Sequence, residues 1–186
     1  MVDENAIKAA AQTFIYGYPL VYDLTETAKI LDGSTTIVAN AGPNRFALAR
    51  ELLGPDAKFV SPNNDTLYVI GACDVSAGPL VLHVPDTNDR YYVLQFVDAW
   101  SNNFAYVGRR ATGTQEGTYL LTPAGYTGHV PEGMAVIEAP SYILTIVGRV
   151  QVNGEKDLPA VHALQDQFTL RPLIGGQCYG SGLPEP

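Results

Sequence analysis

The chain is short of charge, and of positive charge above all. Lys and Arg number 11 against 19 Asp and Glu, for a formal net charge of −8. Nucleic-acid binding leaves a basic stripe or patch, and this sequence has none. An acidic chain also avoids anionic membrane surfaces. Long apolar runs are missing: no stretch of about 18 residues stays apolar, so nothing reads as a bilayer span. The start, Met1 to Gln12, is acidic and lacks the basic and apolar regions of a signal peptide. The chain as written is therefore expected to be soluble and cytoplasmic. A start replaced by processing would leave a periplasmic or secreted placement open.

Cysteine is scarce too. Cys73 and Cys178 cannot build a disulfide framework. Cys73 lies in an apolar strand-like run and is expected to be a buried thiol. No Cys-x-x-Cys or His-Glu-x-x-His spacing occurs, so no metal is assigned. The three histidines, His83, His129 and His162, lie far apart. No serine sits in a Gly-x-Ser-x-Gly elbow, and there is no phosphate loop, so no cofactor is expected.

What is present is an ordinary globular balance over 186 residues, enough for one domain with a real core. The eleven tyrosines suit half-buried sheet faces and wet pockets. Residues 3–18 read as a helix capped by Asp3, with Ile7, Ala10, Ala11, Phe14, Ile15 and Tyr18 on one face. Gly17 and Pro19 interrupt it, and a second helix is expected to start at Pro19 and end at Asp32-Gly33. Asn44 looks like the cap of a further helix through Phe46, Ala49, Leu52 and Leu53.

After Pro55 the period becomes strand-like. Strands are expected at 67–74, 79–84, 91–98, 103–109, 118–122, 134–138 and 142–152, separated by Gly, Pro, Asn and Asp turns. Without intervening helices, they predict an antiparallel sandwich or barrel, not a parallel sheet. A last helix is expected over 157–170. The whole is α+β: a mainly antiparallel β-sandwich-like core with N-terminal helices and a C-terminal helix. Residues 1–173 form the expected single domain (helices within 3–53, a β-rich part at 60–152, the last helix), with 174–186 a linker-like tail.

The chemically useful side chains gather between Ser61 and Asp98. Asn63, Asn64 and Asp65 form a polar turn before a strand. Such side chains either bond their own turn backbone or present donors and a carboxylate to a ligand. In the strand 91–98, alternation puts Tyr92, Leu94, Phe96 and Asp98 on one face and Gln95 on the other. Asp98 is then either a buried acid or base, or the cap of the turn after it. Of Arg109 and Arg110, only one can face a given pocket, where it would pair with an aspartate or hold an anion. Arg149 is a second candidate for that role.

Several motifs follow one another along the chain: Tyr16-Gly17-Tyr18-Pro19, Asn44-x-Phe46, Ser61-Pro62-Asn63-Asn64-Asp65-Thr66-Leu67-Tyr68 and Asp74-x-Ser76-x-Gly78-Pro79. They continue with Val84-Pro85-Asp86, Arg90-Tyr91-Tyr92-x-x-Gln95-x-x-Asp98, Gly108-x-Arg110-x-Thr112-Gly113 and Gly148-Arg149. In these the chain resembles the bacterial family of unknown function numbered 1254. The resemblance implies a β-rich companion domain, of the family numbered 1214, following this one. It supplies no catalytic residues.

Two functional expectations follow. In the first, the domain binds a small polar ligand, sugar-like or anionic. Its enzymatic version is a hydrolase or lyase with Asp65 and Asp98 as acid and base, and Asn63, Asn64, Tyr68, Tyr92, Gln95, Arg109 and Arg110 as binding groups. In the second, it is a non-catalytic module that docks onto the companion domain or onto a second copy. A third reading makes the same polar residues a structural network.

Overall fold

A computed structural model describes residues 3–34, 37–55, 57 and 61–174. The expected tail, with Cys178, lies almost wholly outside them. The chain opens with one long helix, α1 (Glu4–Asp32). Strands follow: β1 (Phe46–Leu48), β2 (Thr66–Asp74), β3 (Leu80–Val84), β4 (Tyr92–Asp98), β5 (Asn103–Gly108), β6 (Gly117–Pro123), β7 (Ala135–Ala139) and β8 (Ile143–Gln151). A short helix, α2 (Leu158–Gln165), and the strand β9 (Thr169–Pro172) complete the described chain.

The strands form two sheets. One has the order β1-β2-β8-β4-β5 and is antiparallel throughout. The other has the order β7-β6-β3-β9, with β7 running parallel to β6. Alternate residues of the two sheets meet in one core. Leu67, Val69, Leu94, Phe96, Leu144 and Ile146 come from the first sheet; Leu80, Leu82, Leu121 and Leu170 come from the second. The α+β sandwich-like architecture expected from the turn spacing is therefore the observed one.

Three local expectations are corrected. The break at Pro19 is absent, because α1 runs through it. Proline has a helical φ; it removes the N–H that would have bonded the Ile15 carbonyl, and its ring crowds that carbonyl. Ile15 is exposed, so water can serve its carbonyl. The helix expected from Asn44 is the edge strand β1, with Phe46 paired to Gly71. Asn44 does not cap a helix. It takes φ 59°, donates its backbone N–H to the Ala72 carbonyl and accepts the Asp74 N–H at 2.8 Å. The bare Gly71 leaves room for the Phe46 ring.

The last expected helix is shorter than 157–170, ending at Gln165 before the chain pairs with β3 as β9. Asp157 does not cap it by hydrogen bond. Its carboxylate is taken by Arg90, at 2.5 and 2.8 Å, and by the Asn153 N–H. The Arg90 hydrogen bond holds this carboxyl below the usual range. A depressed pKa makes the contribution present above the unfolded value and lost as pH falls through the folded one. Arg90 also reaches the Gln151 carbonyl at 2.9 Å, so it ties the start of α2 to the end of β8. Arg90→Gln is expected to lower stability by about 1 kcal/mol at pH 7 and by less below pH 3, in urea titrations at both pH values.

Candidate functional site

The five-stranded sheet has two faces, and they meet different surroundings. Its inner face packs on the second sheet. Part of its outer face is covered by the stretch after α1, where Val38, with Ile37 and Ala41 beside it, packs in one cluster with Tyr68 and Ile70. Helix α1 joins that cover through Thr27, whose hydroxyl lies 3.0 Å from that of Thr145. The cover stops short of β4 and β5. The floor left open there is an indented cleft of about 760 Å³.

Strand register sets what the cleft contains. Tyr68, Arg149, Val93 and Gly108 lie in one row across the sheet. Ile70, Val147, Gln95 and Tyr106 lie in the next. Gln151 and Thr66 lie on the other side of Arg149, along the strand direction. Arg149 is thus near the middle of the floor, and its guanidinium stands 5.5 Å from the centre of the Tyr68 ring. Arg110, from the turn after β5, lies 5.4 Å over the Tyr91 ring at the rim. An aromatic face attracts a guanidinium and holds it flat, leaving its N–H edge free to donate.

Among the described residues neither arginine makes an ion pair, although Arg50, Arg90 and Arg109 all do. Among the described residues the one carboxylate lining the cleft is that of Asp65. Two guanidiniums against one carboxylate make a cationic recess in an acidic protein.

The residues singled out from sequence divide sharply. Asp65, Gln95 and Arg110 line the cleft, and Tyr68 lies beneath Arg149. Tyr92 borders the cleft, but its ring packs edge-on against Phe168 in the core. Asn63 closes its own turn, its side-chain oxygen accepting the backbone N–H and hydroxyl of Thr66. Asn64 is exposed and outside the lining. Arg109 turns away and pairs with Asp89 at 3.0 Å.

Asp98 is buried on the inner side of β4 and accepts the N–H groups of Trp100 and Asn102, both at 2.9 Å. It is the cap of its turn, and it does not share the cleft with Asp65.

Tyr91, Tyr106, Val147 and Gln151 also line the cleft and were not picked out from sequence. Strand alternation places each on the outer face. What alternation cannot supply is how far the N-terminal segment covers that face.

A carboxylate overlooked in the sequence lies nearby. Asp23, on the inner side of α1, has its pKa pushed up to about 6, first by burial and then by the charge of Asp98. One of its oxygens is buried with no hydrogen-bond partner among the described residues. Among those residues there is no group of His, Cys, Asp and Glu side chains fit to hold a metal. None of their helices is long and apolar enough to cross a membrane.

Comparison with solved structures finds the same fold in the VPA0106 protein of Vibrio parahaemolyticus. The TM-score is 0.75 at 25% identity, over 93% of this chain and 41% of the Vibrio chain. The chain thus spans about two fifths of the length of that relative. An uncharacterised protein of Burkholderia cenocepacia matches at a TM-score of 0.43 and 14% identity, over 69% of this chain and 34% of its own. No curated protein matches. A family model described as "Protein of unknown function (DUF1254)" matches residues 43–172, the span from the Asn44 loop through β9 that builds both sheets and the cleft. The chain belongs to the DUF1254 family.

Proposed function

We propose that the domain binds a small anionic ligand in the cleft on the outer face of the five-stranded sheet. The observation that carries this is the pair of guanidiniums, Arg149 and Arg110, each laid on a tyrosine ring and neither neutralised by a carboxylate among the described residues. A guanidinium at the surface of a protein with a −8 balance has carboxylates to choose from. Two left unpaired in one recess leave their forks available for carboxylate or phosphate oxygens. Gln95 and Gln151 add amide groups for hydroxyls, and the tyrosine rings add flat apolar surface. A carboxylate- or phosphate-bearing sugar has all of these features.

Binding is favoured over hydrolysis by the placement of the two aspartates. Paired-carboxylate hydrolysis sets both groups on one substrate, roughly 5–10 Å apart. Here one carboxylate lines the cleft and the other is spent on a turn.

Calorimetric titration with inorganic phosphate, citrate and glucuronate, with cellobiose as the neutral control, tests the reading. The anions are expected to bind, and more weakly as salt is raised. Arg149→Gln is expected to weaken them at least tenfold. Arg109→Gln, outside the cleft, is expected to leave them unchanged. Binding of cellobiose with no response to any anion would sink the proposal.

A further inference from the structure

Helix α1 is apolar well beyond the face it lays toward the sheet. Leu20, Leu24, Thr27 and Leu31, at spacings of three and four, are buried or half-buried toward the sheet. Farther round the helix, Ile7, Phe14, Tyr18, Val21 and Tyr22 form a second stripe, and every one is more than half exposed. Rings of the second stripe already stack along the helix, Phe14 on Tyr18 and Tyr18 on Tyr22, at 5.6 and 5.9 Å. A surface helix shows one apolar stripe toward the core; a helix with an apolar arc much wider than its covered face has more to pack.

The first half of α1 sharpens the point. All residues from Glu4 to Tyr16 are exposed. That half meets the body at its inner end, where the Tyr16 ring lies 5.0 Å from that of Trp100. An isolated helix shorter than about 12–15 residues is marginal in water. A projecting arm of this length, carrying Ile7, Phe14 and Ile15 into solvent, lacks the packing that stabilises helices in proteins. Patches of several hundred square ångströms of exposed apolar side chain mark interaction sites.

The occupant is indicated by the Vibrio relative. The match runs over 93% of this chain, yet about three fifths of that relative has no counterpart here. A second domain on the same polypeptide faces this one at millimolar effective concentration, enough for a surface of this size to stay covered. We propose that the outward face of α1 is the dock for a second domain of the kind that makes up the rest of the Vibrio chain. The arm 4–16 is then a spine clamped between two domains.

The test is amide hydrogen exchange, read by mass spectrometry, on this chain and on the intact Vibrio protein, with sedimentation of this chain across a hundredfold range of concentration. The expectation is that this chain sediments as a monomer and exchanges 4–16 within seconds. The superposed helix of the Vibrio protein is expected to exchange at least a hundredfold more slowly. Fast exchange in both proteins would overturn the proposal. So would a dimer of this chain that protects 4–16 and is dissolved by Phe14→Glu, since a second copy would then be the occupant. Protection of 4–16 in the monomer would also overturn it, because the arm would need no cover. Phe14→Glu should leave thermal unfolding of the monomer unchanged, which separates loss of docking from loss of fold.

Discussion

Replacing Gly108 by alanine is expected to lower the stability of the domain by about 3 kcal/mol or more. Gly108 ends β5 at φ 153°, a region that residues with a Cβ rarely adopt. A Cβ there would stand 2.4 Å from the Tyr92 carbonyl oxygen and 2.8 Å from the Val93 Cα. Both are backbone atoms of the neighbouring strand, and neither can swing aside as a flexible side chain could. The same carbonyl also accepts the Arg109 N–H at 3.1 Å.

The turn depends on this residue. The N–H groups of Ala111, Thr112 and Gly113 all point at the Gly108 carbonyl, and the Gly108 N–H donates to the Thr112 hydroxyl. That turn carries Arg110 to its place over Tyr91, so strain at Gly108 reaches the cleft rim as well as the sheet. Gly113 is the control. It also has a positive φ, of 89°, but a Cβ there meets nothing within 4 Å. Gly113→Ala should therefore cost only the left-handed backbone penalty, about 1–2 kcal/mol. Urea unfolding of both variants reads the difference. Equal losses would mean that the close approach to Tyr92 does not exist in solution.

All seven strands expected from Leu67 onward are present, because each is a run of alternating or apolar residues closed by a Gly, Pro, Asn or Asp turn. The elements misread were those whose local signal points one way and whose partners decide otherwise. Phe46, Ala49, Leu52 and Leu53 have helical spacing, but the bare Gly71 on the next strand accepts the Phe46 ring, and pairing wins. Thr169 and Leu170 looked like the end of a helix, but they pair with the edge of β3.

The site divides along the same line. Strand parity put Gln95 opposite Tyr92 and Asp98, and the structure keeps that division, with Gln95 in the cleft and the other two turned inward. Which of Arg109 and Arg110 would face the cleft was not legible, since both sit in a turn where alternation has no hold. Nor could a local pattern show that α1 and the segment after it cover only part of the outer face. That is a matter of where a long helix lands, which is set by contacts such as Thr27 to Thr145, 118 residues apart.

Asp23→Asn is expected to stabilise the domain at neutral pH and to leave it unchanged near pH 4. The Asp23 carboxyl is held between α1 and the turn after β4, where burial and the Asp98 charge push its pKa up to about 6 from 3.8. A raised carboxyl pKa means that the native state holds a proton the unfolded chain has already lost. Between roughly pH 4 and 6 the native state binds more protons, so stability falls as pH rises through that window and then levels off.

At pH 7 Asp23 is charged, and its burial beside Asp98 costs stability. The full shift corresponds to about 3 kcal/mol. Because the group is only half buried, solvent screening reduces the expected gain to about 1.5–2 kcal/mol. An asparagine keeps the shape and removes the charge, and its amide N–H can donate toward the Asp98 carboxylate. Other carboxyl groups titrate over the same range, Asp157 with the opposite sign. The quantity to follow is therefore the difference in unfolding free energy between variant and parent at pH 4, 5, 6 and 7.

A difference that grows from zero to its plateau across pH 4–6 places the strained carboxylate at the seam where α1 meets the body. A difference that is flat with pH would mean that Asp23 is solvated there, and that α1 sits farther from the β4–β5 turn than its contacts to Ser101 and Trp100 require.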